Sequence, residues 1–411
     1  MKKVLTLAVL AAAIGLVACS KKEGDSATPA ATTADGALIV KVGHAAPLTG
    51  PQAHLGKDNE NGVRLAIDEL NSKGFEVGGK KVHFELLSED DQADPRVATT
   101  VAKKFVDDGV NVMIGHLNSG TTIPASRIYN DAGIVEVSPS ATNPKYTQQG
   151  YKGAFRVMAN DVQQGKALGE FAVKDMAAKK IAIIDDRTAY GQGLADEFEK
   201  AVVANGGTVI VREFTNDKAS DFTAILTKIK GQSPDLLFYG GMDGQGAPMA
   251  KQMKTLGLTA KFLGGDGIHT AEFMKLAGAA AEGVTSSLPG VPLASMPHGP
   301  DFKQRFEAKY GVIQLYSPYC YDAVMVIAAA MQRAGSVESA KFLPEMAKTN
   351  HDGVTANITF DDKGDLKGGA ITVYRVEKGQ WVVLRTIGAA PATPGAVVAE
   401  SVPPKEPAPA K

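Results

Sequence analysis

Short apolar runs and amphipathic, helix-like segments alternate along most of the chain. The segment NENGVRLAIDELNSKG carries apolar residues at helical spacing and stops at Gly74, whereas PRVATTVAKKFVDDG has a proline near its start and a glycine at its end. The strand-like runs in this part of the chain are LIVKVGHA, KVHFELL, VNVMIG and GIVEVS. The pattern therefore predicts alternating strands and helices, with a helix that begins near Ser119 between the last two strands.

The same alternation restarts after Arg156. The segments that continue it are DVQQGKALGEFAVKDM, KKIAIIDD, YGQGLADEFEKAVVANGG, TVIVREF, SDFTAILTKIKGQ, PDLLFYGG, GQGAPMAKQMKTLG and AKFLGG. Such alternation is typical of parallel sheets flanked by helices, so the restart predicts two doubly wound α/β lobes. Near the C-terminus, ANITFDDKGDLKGGAITVYRV predicts two strands joined by a turn, and QWVVLRT predicts a third strand.

Both ends of the chain differ in composition from this alternating region. Met1-Lys2-Lys3 and the apolar run that follows are typical of a signal peptide, predicted over residues 1–18. Leu16-Val17-Ala18-Cys19 resembles the lipobox of bacterial lipoproteins, in which the signal is cut before the cysteine and the thiol carries lipid. The alternative is an ordinary secretory peptide. Residues 19–36 then predict a lipid-attached flexible linker, and the Pro/Ala-rich residues 388–411 predict a disordered tail.

Charge and cysteine content narrow the possible partners and bonds. The 411-residue chain has 44 basic and 45 acidic residues and a formal net charge of -1, which argues against a nucleic-acid partner. It has two cysteines. If Cys19 carries lipid, no internal disulfide is possible, and Cys320 in SPYCYDAV is interpreted as a buried structural thiol.

Sequence motifs for enzymatic, nucleotide or metal chemistry are missing. The first strand is not followed by a G-x-G-x-x-G turn, and neither a phosphate-binding G-x-x-x-x-G-K-[ST] loop nor a G-x-S-x-G elbow occurs. The seven histidines lack metal-ligand spacing, and FDDKGDLKGG is interpreted as a polar turn rather than a calcium loop. His116 and Ser119 lack an evident third partner for catalysis. We therefore expect no enzyme activity, no cofactor and no metal.

Two hydroxyl-rich loops follow predicted strands and point to the binding of an anion. In GHLNSGTT, which spans Gly115 to Thr122, serine and threonine hydroxyls lie where a strand hands over to a helix whose free N–H groups attract a carboxylate. Plain capping of that helix by Ser119 is the alternative. SPSATNP, from Ser138 to Pro144, also follows a strand. In a doubly wound sheet both loops emerge at the carboxyl edge, where ligands bind.

These segments, in their order and spacing, resemble the periplasmic binding proteins for leucine, isoleucine and valine that feed ABC importers. The resemblance rests on PLTGPQAHLG, DDQADP, VNVMIGHLNSGTTIPAS, SPSATNP, AYGQGLA, LLFYGG, FLGGDG, SPYCYDAV and TFDDKGDLKGG. It implies a type I periplasmic binding fold, in which three crossovers join two lobes that close on the ligand. The implied hinges lie near Asn160, Pro289 and Gly369. Lobe 1 would comprise residues 37–160 and 290–369, and lobe 2 residues 161–289 and 370–387.

The resemblance also assigns roles to individual residues. It implies that Ser119 and Thr142, with backbone N–H groups of the loop around Ser140, hold the ligand's carboxylate. The ammonium would contact the carbonyl of Ser140, the hydroxyl of Thr142 and the carboxylate of Asp266. Tyr190 would cover the ligand when the lobes close. The remaining residues implied to form the side-chain pocket are Leu55, Leu117, Asn118, Ala141, Met242 and Tyr316.

Some positions depart from the family pattern. Leu55 and Met242 stand where leucine-binding relatives carry tyrosines, and Asp266 replaces a glutamate. Ala93 and Asn118 stand where relatives have a disulfide pair. The groups that recognise an amino acid are thus retained, whereas the pocket for its side chain is remodelled.

The sequence therefore predicts an exported, lipid-anchored solute-binding protein. We expect it to bind a neutral, aliphatic or branched-chain amino acid, to deliver it to an ABC permease and to act as a monomer. The first alternative is the same fold used to bind an amide, urea or another small molecule, for which an acidic Asp266 is less suited. The second is an exported hydrolase, for which the sequence assembles no nucleophile, base and oxyanion site.

Overall fold

A computed structural model describes residues 32–388. The predicted signal peptide, Cys19 and nearly all of the predicted tail lie outside these residues. At the start of the described part, Thr32 pairs with Leu38 in an isolated antiparallel bridge. Residues 32–36, which fall within the predicted linker, therefore form a turn against the first strand.

The first part of the chain builds a six-stranded sheet. Its strands are β1 (Leu38–Ala46), β2 (Glu76–Val77), β3 (Lys80–Asp90), β4 (Val112–Gly115), β5 (Val135–Ser138) and β6 (Ala154–Arg156). The helices between them are α1 (Ala53–Lys73), α2 (Pro95–Asp107), α3 (Ser119–Asp131) and α4 (Lys145–Gln148). Local sequence sets several boundaries: α1 ends at Gly74 in a left-handed conformation, and the Asp94 side chain caps α2 by accepting from Arg96 N.

The next part builds a second sheet. Its first strands are β7 (Lys180–Asp185), β8 (Thr208–Phe214), β9 (Leu236–Gly240), β10 (Lys261–Gly264) and β11 (Thr285–Pro289). The helices are α5 (Asp161–Lys174), α6 (Ala189–Ala204), α7 (Thr223–Gly231), α8 (Asp243–Thr255) and α9 (Ala271–Ala277). Asn160 and Gln163 form a capping box that fixes the start of α5.

The chain then returns to the first lobe before it ends in the second sheet. The returning segment contains α10 (Gly299–Tyr310), α11 (Ser317–Ala334), α12 (Ser339–Met346), β12 (His351–Asp352) and β13 (Asn357–Ile358). Helix α11 packs along α1, against the first sheet. The last two strands, β14 (Ile371–Glu377) and β15 (Gln380–Ile387), complete the second sheet.

The strand order shows two doubly wound lobes. The first sheet has the order β2-β3-β1-β4-β5-β6, and only the β2–β3 pair is antiparallel. The second has the order β15-β14-β11-β10-β9-β7-β8, parallel from β8 to β11 and antiparallel beyond it. The central strands β4, β5 and β9 are buried along their whole length. This is the predicted fold class, two α/β lobes joined by three crossovers.

The three crossovers run side by side. The backbone N–H of Gly290 donates to the carbonyl of Ala370 at 2.6 Å. A side chain on Gly369 would place its Cβ 2.6 Å from the Cβ of Ala159, so these two backbones approach closely. The residues predicted as hinges are therefore neighbours, while the predicted lobe boundaries themselves remain predictions.

The predicted C-terminal hairpin is wrong in its pairing. Asn357–Ile358 pairs with β12 in a separate two-stranded sheet, whereas Ile371–Glu377 pairs with β11 and β15. The polar turn between them is present, because Phe360 bridges Leu366 and the Asp361 side chain accepts from Asp365 N. Alternation identifies a strand but does not specify which sheet it joins.

Candidate ligand-binding site

The loops at the carboxyl ends of both sheets face each other around a small cavity. Within residues 32–388, the residues that line it are Leu117, Asn118, Ser119, Ser140, Tyr190, Met242, Asp266 and Tyr316. All eight were predicted as site residues. The cavity has a volume of about 10 Å³, roughly what a single water molecule needs. The lobes are therefore closed around it.

Three other predicted residues are not part of the cavity lining. Leu55 is fully buried in α1, and Ala141 is 1% exposed in the second hydroxyl-rich loop. Thr142 is 0% exposed, and its hydroxyl has no hydrogen-bond partner. An unpaired buried hydroxyl is uncommon, and the group nearest to pairing with it is Asp161, whose pKa it lowers.

The first hydroxyl-rich loop joins the second through Ser119. Helix α3 begins at Ser119 with Asn118 at the N-cap position, and no side chain caps the helix. Instead, the Ser119 hydroxyl accepts from the backbone N–H of Asn143 at 3.1 Å. Capping by Ser119, the alternative left open by the sequence, is thus not observed. The two loops are held together as one surface.

Three buried polar side chains form a hydrogen-bonded cluster at the start of the first hydroxyl-rich loop. His116 Nδ1 lies 2.8 Å from Asp91 Oδ2, and its Nε2 lies 3.0 Å from the Tyr129 hydroxyl. All three residues are 0% exposed. Both ring nitrogens of His116 are therefore engaged away from Ser119, as expected for a histidine that fixes a strand end. Neither can act as a base for the Ser119 hydroxyl in this arrangement.

The second loop is held by the fully buried guanidinium of Arg156. Its Nη1 donates to the carbonyls of Ala141 at 2.9 Å and Asn143 at 2.8 Å, and its Nε donates to Asp365 Oδ1 at 2.9 Å. Ser140 is fixed separately, because its hydroxyl donates to the carbonyl of Leu117 at 3.1 Å. Loop geometry is thereby set before any ligand arrives.

Asp266 brings a carboxylate from the second lobe to the same cavity. It follows β10, is 1% exposed and opens a short 3-10 turn. Its oxygens accept from the Tyr316 hydroxyl at 2.6 Å, the Tyr190 hydroxyl at 2.8 Å and Gln164 Nε2 at 3.0 Å. Burial raises the pKa of Asp266, and these donors oppose the rise. The carboxylate is thus surrounded by neutral donors without a cationic partner among the described residues.

Tyr316 is positioned by a second buried aspartate, Asp58 of α1. Its carboxylate accepts from the Ser317 hydroxyl and from the backbone N–H groups of four consecutive residues, Gln314, Leu315, Tyr316 and Ser317. This cluster fixes the start of α11. The Tyr316 ring therefore projects toward Asp266 from a rigid base.

Sequence reasoning missed two polar residues on α5. Asp161 is 0% exposed, and neither of its carboxylate oxygens has a hydrogen-bond partner. Gln164 is also 0% exposed and donates to both Asp266 and Ser287, while its carbonyl oxygen has no partner. Both lie in a helix that the sequence predicts only as amphipathic. A pair of polar residues three apart was the available signal.

The lobes also touch outside the cavity. Asn143 Nδ2 donates to the carbonyl of Ala189 at 2.6 Å, and His54 Nε2 lies 2.8 Å from Asp243 Oδ2. Burial lowers the pKa of His54, but the hydrogen bond and charge of Asp243 outweigh it, so the net shift is upward. These contacts hold the lobes in the closed arrangement.

The described part of the chain was also compared with the requirements of a metal site and of a membrane-spanning helix. Residues 32–388 contain no group of three or more His, Cys, Asp or Glu side chains arranged to hold a metal ion. They also contain no helix with the length and apolar character needed to cross a bilayer. Cys320 is 0% exposed, and burial raises the pKa of its thiol, as expected for a structural cysteine.

Two lobes that close on a buried polar cavity at the carboxyl ends of their strands define a solute-binding protein. The sequence model of the family described as periplasmic binding protein matches residues 39–380. The chain therefore belongs to the periplasmic binding protein family, and within it to the branched-chain amino-acid substrate-binding proteins of ABC transporters. Members of this family are solute-binding proteins rather than enzymes, and membership implies export.

Individual relatives agree with this assignment. The chain is 38% identical over 343 residues to Leu/Ile/Val-binding protein homolog 1 of Brucella suis, covering 83% of this chain and 91% of that protein. It is 35% identical to a Pseudomonas aeruginosa protein that binds leucine, isoleucine, valine, threonine and alanine, covering 82% and 90%. The leucine-binding protein of Thermotoga maritima superimposes with a TM-score of 0.79 at 29% identity, covering 85% and 99%.

Proposed function

We propose that this protein captures a neutral aliphatic amino acid between its lobes and delivers it to an ABC permease. The observation that carries the proposal is the position of Asp266, a buried carboxylate opposite the hydroxyl-rich loops of Ser119 and Thr142. A zwitterion needs groups of both kinds, because a buried ammonium must be paired with a charge and a carboxylate needs hydrogen-bond donors. The two loops and Asp266 would supply them from opposite lobes.

At the carboxylate end, Ser119, Ser140 and Thr142 would share the ligand. Support comes from the unpaired hydroxyl of Thr142 and from the start of α3, whose free N–H groups favour an anion. At the ammonium end, Asp266 would accept together with the Ser140 carbonyl and the Thr142 hydroxyl. Tyr190 and Tyr316 already donate to Asp266, and a carboxylate has room for a further donor.

The size of the cavity bears on the ligand side chain and on entry. A volume of about 10 Å³ does not hold an amino acid, so the lobes must part for a ligand to enter. The side chain would then lie among Leu117, Met242 and Tyr316, which are apolar or aromatic surfaces. This lining supports an aliphatic ligand over a charged one.

Thermal unfolding with candidate ligands tests the proposal. Ligand binding raises stability by mass action, by about 2.7 kcal/mol at one hundred times Kd. We expect L-leucine, L-isoleucine, L-valine, L-threonine or L-alanine to raise Tm. The controls are L-valinamide, which lacks the carboxylate, benzoate, which lacks the ammonium, and urea, which lacks both. Stabilisation by urea or benzoate and by none of the amino acids would overturn the proposed ligand class.

We also propose that Cys19, which lies outside the described residues, carries a lipid anchor. The support is the sequence Leu16-Val17-Ala18-Cys19 after an apolar run. Replacing Cys19 by serine should move the protein from the membrane fraction to the soluble fraction, as measured by immunoblot. A Cys320→Ser variant is the matched control and should stay with the membrane. Unchanged membrane retention of Cys19→Ser would exclude this anchor.

A further inference from the structure

Asp161 carries a buried carboxyl group that forms no ion pair and no hydrogen bond of ordinary length with the described residues. It is the first residue of α5, directly after Asn160, and is 0% exposed. Its backbone N–H donates to the carbonyl of Thr142 at 2.9 Å, which ties the start of α5 to the second hydroxyl-rich loop. Within the described part of the chain, by contrast, no group lies at ordinary hydrogen-bond distance from its side-chain oxygens, although the Thr142 hydroxyl is near enough to lower the pKa of the carboxyl. Burying an ionised carboxylate in this way is costly, so the group requires an explanation.

One side-chain donor faces Asp161, the Thr142 hydroxyl, which lowers the pKa of Asp161. Among the described residues, no hydrogen bond of ordinary length joins the two groups, and both are buried. Helix α6 encloses the group, because a Cβ on Gly193 would lie 3.7 Å from Asp161 Oδ2. No lysine or arginine among the described residues forms an ion pair with Asp161. The nearby guanidinium of Arg156 is occupied by Asp365, Ala141, Asn143 and Thr147.

Burial and the neighbouring charged groups together determine the protonation of Asp161. Burial raises its pKa most, followed by the charge of Asp266, and the two together bring it to about 8. The Thr142 hydroxyl and the charge of Arg156 oppose this rise, whereas Glu197 adds slightly to it. At neutral pH the free protein therefore holds a proton on Asp161, and because the charge of Asp266 contributes to the raised pKa, the two carboxyls behave as a coupled pair.

We propose that Asp161 is the proton-bearing partner of Asp266, and that an ammonium ligand takes the place of that proton. This inference rests on the proposed function, because it needs a ligand with a cationic group beside Asp266. In the free protein, the negative charge of Asp266 disfavours ionisation of Asp161. The positive charge of a bound ammonium offsets that repulsion and favours the ionised form of Asp161. The O–H bond of Asp161 breaks, the proton passes to solvent, and the ammonium keeps its own protons. Thr142, which the proposed function assigns to the ligand and which lies beside Asp161, would link the two events.

Proton release gives the ligand affinity a defined pH dependence. Below about pH 8 each ligand bound must expel up to one proton, so the affinity rises with pH by up to about tenfold per unit. Above pH 8 Asp161 is already ionised in the free protein, and this contribution levels off. In an Asp161→Asn variant the affinity should not follow this rise. The affinities of the two proteins should converge near pH 5 and differ by about tenfold or more near pH 8.

Calorimetry in buffers of different ionisation enthalpy measures the proton directly. The titrant is whichever of the five amino acids gives the largest stabilisation, at about pH 7 in phosphate, HEPES and Tris. The background carries His54→Gln, because the His54–Asp243 contact would take up a proton on closure. We expect nearly one proton to be released per ligand bound in this background, and none when Asp161→Asn is added.

Each outcome has a distinct meaning. A binding heat that does not depend on the buffer would overturn the role of Asp161 and leave the proposed function standing. An Asp161→Asn variant that loses the same affinity at every pH would also overturn it, since a merely structural residue behaves in that way. No binding of any of the five amino acids by the wild type would overturn the proposed function and this inference with it.

Discussion

The start of α11 and the start of α5 each lie against a buried aspartate, with opposite surroundings. Asp58 is 3% exposed and accepts five hydrogen bonds, four of them from backbone N–H groups. Asp161 is 0% exposed, and its side chain accepts no hydrogen bond of ordinary length from the described residues. Burial raises the pKa of both, but donors restrain the rise at Asp58, whereas at Asp161 it reaches about 8. The Asp58 carboxylate therefore stabilises the fold, whereas the Asp161 carboxyl lacks the donors that would stabilise its ionised form, and in our proposal the ligand's ammonium stabilises it instead.

Removing the Asp58 carboxylate, which accepts five hydrogen bonds, should have the largest effect on stability. In Asp58→Ala, four backbone N–H groups lose their acceptor, and we expect the free energy of unfolding to fall by about 3–5 kcal/mol. Urea denaturation followed by circular dichroism measures the change. Asp68→Ala, on the outer face of the same helix, is the control and should cost less than about 1 kcal/mol. A similarly small effect for Asp58→Ala would remove the contrast between the two aspartates.

Asp266 lies between these extremes, since three neutral donors surround it and no cation from residues 32–388 pairs with it. Asp266→Asn keeps the size of the side chain but removes the charge that would pair with the ammonium. We expect amino-acid affinity to fall about 100-fold, or roughly 2.7 kcal/mol, with little change in stability. Calorimetric titration measures this. Unchanged affinity would exclude Asp266 from the ammonium site.

The pH dependence of the free energy of unfolding, measured in the absence of ligand, tests the raised pKa of Asp161. The pKa of Asp161 is about 8 in the folded protein and about 4 in an unfolded chain. The folded form therefore holds the extra proton, and stability falls as pH rises toward 8. From pH 6 to pH 9 we expect the wild type to lose about 2.7 kcal/mol that Asp161→Asn does not lose. Parallel denaturation curves for the two proteins at both pH values would contradict the assignment.

The smallest effect is expected at the partly exposed contact between the lobes. The pKa of His54 is raised in the closed form, so its pairing with Asp243 contributes below about pH 6.5 and is lost as pH rises through the raised value. Its side chain is 20% exposed, which weakens the pair. His54→Gln should therefore weaken ligand affinity about threefold near pH 6 and leave it unchanged near pH 9. An equal effect at both pH values would show that charge plays no part.

The sequence predicted the architecture and much of the cavity, for identifiable reasons. Strand–helix periodicity is local, so the two lobes could be predicted from it. Ser119 and Ser140 follow strands of one parallel sheet, whose strand ends share one edge, so their convergence could also be expected. Asp266, Tyr190, Met242 and Tyr316, by contrast, were placed at the cavity by the family resemblance.

The unpredicted features depend on pairings between distant positions. Asp58 meets the backbone of Tyr316, 258 residues away, and no local pattern encodes that contact. Asp161 and Gln164 read as the polar face of a helix, because the sequence does not show that α6 covers them. The pairing of Ile371–Glu377 was missed for a similar reason: its alternation fits either sheet.

The contacts of Asp365 bear on which parts of the molecule would move together when a ligand is captured. Its carboxylate accepts from Arg156, from the Thr147 hydroxyl at 3.0 Å and from Asn160 Nδ2 at 3.1 Å. Asp365 thus connects Asn160 of the first crossover to Arg156, whose guanidinium holds the second hydroxyl-rich loop. In the proposed capture, that loop and the crossover would move together, and the lobe bearing Asp266 would move relative to them. An amino acid would accordingly dock by its carboxylate first, and the arrival of Asp266 at its ammonium would be the event that completes closure.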